Sequence, residues 1–127
     1  KQIGIKNKVF YAEINWTNVQ NLLTTNKIKH KPLPRFPEVR RDLSLLLNSE
    51  IQYKDLESLA KKTEKKLLKK VNLFDVYQGE NLPNGKKSYA LSFVFQDQIK
   101  TLNEKEIDSM MKKLTKAFEN QMDAEIR

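Results

Sequence analysis

Alternating apolar and polar positions predict three β-strands after Pro37. The segment Arg41 to Leu47 (RDLSLLL) places leucines at every second position, so these leucines share one face. Two later segments, Val71 to Gln78 and Ser88 to Gln96, are separated by GENLPNGKK, which is rich in turn-forming Gly, Pro and Asn. The two later segments therefore predict an antiparallel hairpin with a long loop.

Apolar residues at helical spacing predict two helices, one before the hairpin and one after it. The first stripe runs from Tyr53 to about Lys70, and the lysines of KKTEKKLLKK lie largely off it, where we expect a solvated face. The second helix is predicted to start after Asn103, because Asn103 is a favourable N-cap and Glu106 can complete a capping box. Its buried stripe is expected to contain Ile107, Met110, Met111, Leu114, Phe118 and Met122.

The order of these elements predicts a ferredoxin-like fold. With a short closing strand in Ala124 to Arg127, the order is βαββαβ, an α+β sandwich with both helices on one face of an antiparallel sheet. Side-chain alternation assigns each strand residue to the helix-covered face or to the open face. We expect the covered face to hold Leu43, Leu45, Leu47, Phe74, Val76, Tyr89, Leu91, Phe93 and Phe95. We expect the open face to hold Asp42, Ser44, Leu46, Leu73, Asp75, Tyr77, Ser88, Ala90, Ser92 and Val94.

The residues before Pro37 predict a separate strand-helix appendage and a linker. Residues 1–25 contain a predicted strand, Val9 to Ile14, and a short helix for which Asn15 and Thr17 are candidate N-caps. Residues 26–35 form a Pro/Lys-rich linker, because prolines disfavour helix there. One strand and two helical turns cannot bury their own apolar residues. We therefore expect the appendage to pack on the folded domain, residues 36–127, or on a part of the protein upstream.

Composition and charge narrow the function less than the strand pattern does. The net charge is +8, but residues 1–37 contain 7 Lys/Arg against 1 acid, whereas residues 38–127 contain 17 against 15. Bulk charge therefore does not identify the folded part as an RNA binder. The chain has no Cys and no apolar segment of the roughly 20 residues that a membrane span needs. These features predict a cytoplasmic protein without a disulfide, a thiolate metal site or a membrane partner.

The expected open face combines one carboxylate, one aromatic ring and small hydroxyl side chains, which suits a single-stranded base. Asp75 can accept hydrogen bonds from N1 and N2 of guanine, and Tyr77 can stack on a base or position it. Ser88 offers a hydroxyl, and Ser44 allows a close approach to the sheet. The candidate phosphate contacts are Arg40, Arg41, Lys86 and Lys87.

Three segments resemble the ferredoxin-fold anticodon-binding domain of phenylalanyl-tRNA synthetase. They are FPEVRRDLSLLL (Phe36 to Leu47), LFDVYQGENLPNGKKSYAL (Leu73 to Leu91) and TLNEKEID (Thr101 to Asp108), in the order of that family. The resemblance extends to Arg127 and implies a domain that ends the bacterial β subunit. It also implies that the first anticodon base of tRNA(Phe) is contacted by Asp75, Tyr77, Ser88 and Ser44.

The resemblance further implies partners and cofactors outside this chain. In the family this module is noncatalytic, and aminoacylation with ATP and Mg²⁺ takes place elsewhere in an (αβ)₂ enzyme that contains an α subunit. Residues 1–25 are similar, more loosely, to the last strand and helix of the preceding core domain. We therefore expect a C-terminal fragment that has no synthetase activity of its own.

Other functions of the same fold stay open at this stage. The main alternative is a small-molecule regulatory or protein-interaction module. A general RNA-recognition domain should carry an aromatic-rich strand, whereas Ser88, Ala90 and Ser92 are expected to face outward here. A metal carrier needs a Cys pair, and the sequence offers no nucleophile or phosphate loop for an acyl-phosphate hydrolase. His30 stands in the linker without a nucleophile or a metal partner at ligand spacing.

Overall fold

The computed structural model describes residues 8–23 and 33–127. The chain divides into two compact units between Leu33 and Pro34. His30 and most of the predicted linker lie outside the described residues. Among the helices of the described ranges, none is long and apolar enough to cross a membrane.

The first unit contains one helix, α1, from Trp16 to Leu23. Asn15 precedes it, and its side-chain oxygen accepts a hydrogen bond from the backbone N–H of Asn18 at 3.2 Å, as an N-cap does. The predicted strand from Val9 to Ile14 is not observed, because residues 8–15 have no regular secondary structure. A strand requires a neighbouring strand for its backbone hydrogen bonds, and the sheet described below includes none from this segment.

The second unit has the predicted βαββαβ order, which confirms the ferredoxin-like α+β fold. Its four strands form one sheet in the order β2-β3-β1-β4, and all neighbouring strands are antiparallel. The central strands β1 and β3 pair over ten residues each. The elements are β1 (Val39–Asn48), α2 (Tyr53–Thr63), β2 (Leu68–Tyr77), β3 (Lys86–Phe95), α3 (Glu104–Met122) and β4 (Glu125–Ile126).

The core lies between one face of this sheet and the helices α2 and α3. The two central strands and both helices contribute fully buried side chains, and the rings of Phe93 on β3 and Phe118 on α3 meet with centroids 6.0 Å apart. Burial of these large apolar groups is the main favourable term in folding. The largest fully buried side chains are Phe93, Phe95, Phe118, Leu45, Leu47, Leu56, Leu91, Ile107 and Leu114.

Helix α3 begins as its sequence predicted. The side-chain oxygen of Asn103 accepts a hydrogen bond from the Glu106 backbone N–H at 2.9 Å, and the Glu106 carboxylate accepts one from the Asn103 backbone N–H at 3.1 Å. This reciprocal pair satisfies two backbone donors that a helix start leaves without partners. The helix ends at Met122, and Asp123 follows in the left-handed conformation, with φ of 48°. The capping box is confirmed.

Helix α2 is shorter than the sequence predicted. It ends at Thr63 rather than near Lys70, because Glu64 is extended and its carboxylate accepts hydrogen bonds from the backbone N–H groups of Lys66 and Leu67. Strand β2 then begins at Leu68, opposite Phe95. The predicted lysine-rich helix face therefore spans a helix end, a turn and a strand start. The segment has no Gly or Pro that would have marked the boundary in the sequence.

A β-bulge in β2 reverses two of the predicted side-chain faces. Leu73 pairs with Leu91 and Asp75 pairs with Ala90, so Phe74 is an extra residue without a pairing partner. Leu73, expected on the open face, packs against the core, while Phe74, expected in the core, is 55% exposed. From Asp75 onward the strand alternates as predicted, but Val76, expected in the core and paired with Tyr89, is 49% exposed.

Candidate nucleic-acid interface

Six residues form a compact patch on the open face of the sheet. Strand pairing aligns them in two rows that cross β1, β3 and β2 in that order. Directly opposite side chains in a sheet lie about 4.5 to 5.5 Å apart at Cβ, so each row is continuous. We call this surface the reading patch. Its rows are Ser44–Ala90–Asp75 and Leu46–Ser88–Tyr77.

The centre of the reading patch consists of short side chains that project little from the sheet. Ser44 Oγ and Ser88 Oγ lie 3.3 Å apart, a hydrogen bond that links β1 to β3 through side chains. Ser88 is only 9% exposed, and Ala90 beside it has a single methyl group. These groups form a floor that a flat ring could approach closely.

Asp75 lies at the edge of this floor, and its carboxylate has no partner among the described residues. The residue is exposed, and its side chain makes no hydrogen bond or ion pair with any other residue in the described ranges. An ionised carboxylate offers only acceptors, so its natural partner is a group with adjacent donors. The backbone of β2 holds Asp75 in register with Ala90 and two residues from Tyr77. A ligand group on the floor therefore meets acceptor oxygens at one side.

Tyr77 is positioned by the loop between β2 and β3. The Asn81 amide donates a hydrogen bond of 3.4 Å to Tyr77 Oη, and the ring lies against Gly79. A Cβ at position 79 would come within 2.5 Å of Tyr77 Oη and 2.7 Å of Cζ. Gly79 is therefore required for this placement of the ring. The Tyr77 side chain is still 41% exposed, so part of the ring can contact a ligand.

Arg40 brings positive charge to the open face. Its Nε and Nη2 donate to the two carboxylate oxygens of Asp42 at 2.8 and 3.1 Å, which raises the pKa of the guanidinium above its ordinary value. The guanidinium carbon also lies 5.5 Å from the centroid of the Phe74 ring, within the range of a cation–π contact. Arg40 is thus a fixed planar cation over an exposed aromatic ring.

Two of the other cations predicted to contact phosphate belong to the opposite side of the sheet. Lys87 pairs with Leu47, is only 7% exposed, and places its ammonium 4.6 Å from the centroid of the Tyr89 ring. Arg41 pairs with the core residue Phe93, and its guanidinium donates to the Arg40 carbonyl at 3.2 Å. Alternation directs both side chains away from the open face.

Lys86 occupies an intermediate position. It shares the strand parity of Ser88, so it lies on the open-face side at the hairpin end. Its ammonium is 3.8 Å from the carboxylate of Asp123, and its side chain is 18% exposed. Of the four predicted phosphate contacts, only Arg40 is both on the open face and exposed.

A family comparison decides what kind of domain carries this patch. Residues 34–127 match the family model described as the ferredoxin-fold anticodon binding domain. The chain belongs to this family. The matched region starts at the residue where the second compact unit starts, so the family corresponds to the sheet and its two covering helices.

The whole chain is also similar to longer proteins. It is 47% identical over 127 residues to the phenylalanine–tRNA ligase beta subunit of Bacteroides fragilis and 48% identical over the same length to that of Bacteroides thetaiotaomicron. It is 38% identical over 123 residues, 97% of the chain, to that of Clostridium tetani. The chain spans 16% of the length of the two Bacteroides proteins and 15% of the Clostridium protein. Similarity to these relatives extends into the first unit, outside the family match.

Two residues of the open face in this family member were not singled out by the sequence. Phe74 was assigned to the core, because strict alternation from Leu73 does not include the bulge. Asn72, which pairs with Ser92 on the open face and is exposed, is absent from the residues predicted for that face. The crowding of Leu73, Phe74, Asp75 and Val76 was the available signal, because three large apolar residues around one acid do not fit simple alternation.

Proposed function

We propose that this chain is the anticodon-binding part of a phenylalanine–tRNA ligase β subunit, and that its open face binds the anticodon of tRNA(Phe). Membership of the anticodon-binding family and the names of the relatives support this function over a small-molecule regulatory module. The observation that carries it is the uncommitted Asp75 carboxylate beside the exposed Tyr77 ring, over a floor of small side chains.

The reading patch suits a guanine as the first anticodon base. The N1–H and N2–H groups of guanine are adjacent donors, and a carboxylate can accept from both. Asp75 is the proposed reader, and Tyr77 stacks on the base or positions it. Ser44 provides the close approach, and the Ser88 hydroxyl fixes the floor through its contact with Ser44. Arg40 supplies the positive charge that favours a phosphate backbone nearby.

The proposed function makes this chain a binding module within a larger enzyme. ATP-dependent aminoacylation with Mg²⁺ takes place elsewhere in an (αβ)₂ assembly in the cytoplasm, and the α subunit is the partner protein. Within the described ranges, no three His, Cys, Asp or Glu side chains are grouped to hold a metal ion. The proposal assigns the residues of this module a role in binding and positioning the tRNA.

Removal of the Asp75 carboxylate from the complete enzyme tests this function. Asp75→Ala should lower kcat/KM for tRNA(Phe) by the equivalent of roughly 1 to 3 kcal/mol, the range for a lost base-specific pair. ATP–pyrophosphate exchange without tRNA should stay unchanged, because that reaction needs no anticodon. Asp108→Ala, which removes an exposed acid from α3, is the matched control. Unchanged tRNA kinetics in Asp75→Ala would exclude Asp75 as the reader.

A further inference from the structure

The bulge in β2 leaves a large aromatic ring on the surface next to the reading patch. Phe74 directly precedes Asp75 and is 55% exposed. The Arg40 guanidinium lies 5.5 Å from the ring centroid, and Arg40 pairs with Val94, an open-face position. The contact therefore places the Phe74 ring on the same side of the sheet as the reading patch.

Fold stability does not account for this arrangement. Arg40 and Asp42 have side chains that are 60% and 49% exposed, and ion pairs as exposed as this contribute little to stability. Leaving a phenyl ring half in water forgoes much of the stabilisation that its burial would provide. The two Asp42 contacts do, however, fix the plane of the guanidinium. A fixed guanidinium and an exposed phenyl ring are the two kinds of surface on which unpaired bases stack.

A free amide lies beside this stacking surface. Asn72 pairs with Ser92 on the open face, is exposed, and has no hydrogen-bond partner for its side chain within residues 8–23 and 33–127. A carboxamide presents one donor and one acceptor side by side. Adenine presents the complementary pair, an N6 amine next to a ring nitrogen, and Asn is a common partner for it.

The spacing fits two consecutive nucleotides. The row that contains Asn72 and Ser92 is two residues along β3 from the row that contains Ala90 and Asp75, which is about 7 Å for an antiparallel strand. Neighbouring bases of a splayed single strand can occupy such positions, because recognition of single-stranded RNA separates bases that are otherwise stacked.

We propose that Phe74, Arg40 and Asn72 form a second base subsite, which binds the second anticodon base, an adenine. The inference rests on the proposed function and extends it from one base to two. The base stacks on the surface made by the Arg40 guanidinium and the Phe74 ring, and the Asn72 amide bonds to its edge. The specificity of the domain then resides in two adjacent rows of the sheet.

A fluorescent base at the second position tests the subsite. The probe is a stem-loop RNA with a GAA anticodon that carries 2-aminopurine in place of the second base, titrated with the 127-residue chain. Because 2-aminopurine carries its amine at C2 rather than at C6, the probe reports stacking and not the Asn72 contact. Stacking on Arg40 and Phe74 should quench its fluorescence on binding. Phe74→Leu should remove most of the quenching and raise Kd about tenfold, a typical effect of losing one base–aromatic stack. Phe10→Leu is the matched control, since Phe10 is an exposed phenyl in the first unit.

A second pair of variants separates stacking from charge. Arg40→Lys keeps the positive charge but loses the planar group, so it should lose quenching with less loss of affinity than Arg40→Gln. Asn72→Ser should reduce the preference for adenine over uracil at the second position about tenfold, as expected for one bidentate contact. Thermal unfolding of each variant shows whether the fold is retained, which we expect because all three side chains are exposed.

The outcomes distinguish this inference from the function on which it rests. Wild-type quenching at the second position that Phe74→Leu leaves intact overturns the second subsite. Quenching confined to a 2-aminopurine at the third position overturns it as well. If guanine at the first position is still preferred in either case, the proposed function stands without the second subsite. If the wild-type chain does not bind the stem-loop at all, both proposals fail.

Discussion

Ser44 Oγ and Ser88 Oγ lie 3.3 Å apart on the open face, where β1 meets β3. The contact joins the two rows of the reading patch, because Ser44 belongs to the row of Asp75 and Ser88 to the row of Tyr77. One hydroxyl donates and the other accepts in this contact, so each already has one hydrogen-bond partner without a ligand. Their main contribution to recognition is therefore their small size.

Substitution of Ser44 separates its size from its hydroxyl. Ser44→Ala should lower the free energy of unfolding by about 0.5 to 1.5 kcal/mol, the usual net value of one hydrogen bond, with little change in Kd for the GAA stem-loop. Ser44→Val adds bulk to the floor and should weaken binding by roughly 1 to 3 kcal/mol if the base approaches closely. Titration and chemical denaturation of both variants check this. Equal binding by the Val and Ala variants would show that the base does not reach this floor.

Gly79 controls the position of the Tyr77 ring. In Gly79→Ala, the added Cβ would meet Tyr77 Oη at 2.5 Å, so the ring has to move. Because the clash involves the far end of a side chain, stability should change little, whereas binding of the stem-loop should weaken. The measurement is Kd together with the melting temperature. Tyr77→Phe is the comparison, since it loses the Asn81 contact but creates no clash. A Gly79→Ala variant with wild-type affinity would mean that this ring placement is not used.

Lys87 should not contribute to RNA binding, although it lies in the segment Leu73 to Leu91 that resembles the anticodon-binding family. Its side chain is on the helix-covered side and only 7% exposed, with the ammonium 4.6 Å from the centroid of the Tyr89 ring. Lys87→Met, similar in size and uncharged, should keep Kd and the salt dependence of binding and leave the fold equally stable or more so. Arg40→Gln should reduce the slope of log K against log salt concentration by about one contact's worth. A shallower slope for Lys87→Met would contradict the placement of this side chain.

The decrease of the free energy of unfolding at acidic pH should depend on Glu106. Hydrogen bonds from the Lys100 ammonium and from the Asn103 backbone N–H lower the pKa of Glu106 below its ordinary value of 4.5. A lowered pKa stabilises the fold fully above the unfolded-state value, and this contribution is lost as pH falls through the folded-state pKa. The free energy of unfolding of wild type should therefore fall more steeply below about pH 4.5 than that of Glu106→Gln. Parallel curves, measured by denaturation at several pH values, would contradict this. Glu104→Gln in the same turn is the control.

Local signals account for the parts of the fold that the sequence predicted well. Asn103 and Glu106 form a start signal that is complete within four residues, so α3 was placed correctly. The leucines of β1 occupy every second position, because side chains of a strand alternate between its two faces and one face of β1 is buried in the core. By contrast, the end of α2 is set by Glu64 and by the pairing of Leu68 with Phe95, a contact between residues far apart in sequence. No local pattern records such a contact.

The faces of the reading-patch residues were predictable from a local pattern, the alternation of side chains along a strand. The faces of the residues around the patch were not. Pairing next to the hairpin fixes Asp75 and Tyr77 opposite Ala90 and Ser88, so alternation identified their face. The bulge at Phe74 lies just beyond this stretch and changes the register there. The prediction that Lys87 contacts phosphate was based on its position at the hairpin end. Alternation with Ser88 instead assigns Lys87 to the covered face, and the structure agrees with the alternation.

The most direct test of the central claim is a double-mutant cycle between Asp75 and the first anticodon base. The stem-loop is prepared with guanine or with inosine, which lacks the N2 amine, and Kd is measured with the wild-type chain and with Asp75→Ala. Inosine should weaken wild-type binding by roughly 1 to 3 kcal/mol, and Asp75→Ala should bind both RNAs with nearly equal affinity. The same inosine penalty in both proteins, or no penalty in wild type, would contradict recognition of guanine by Asp75.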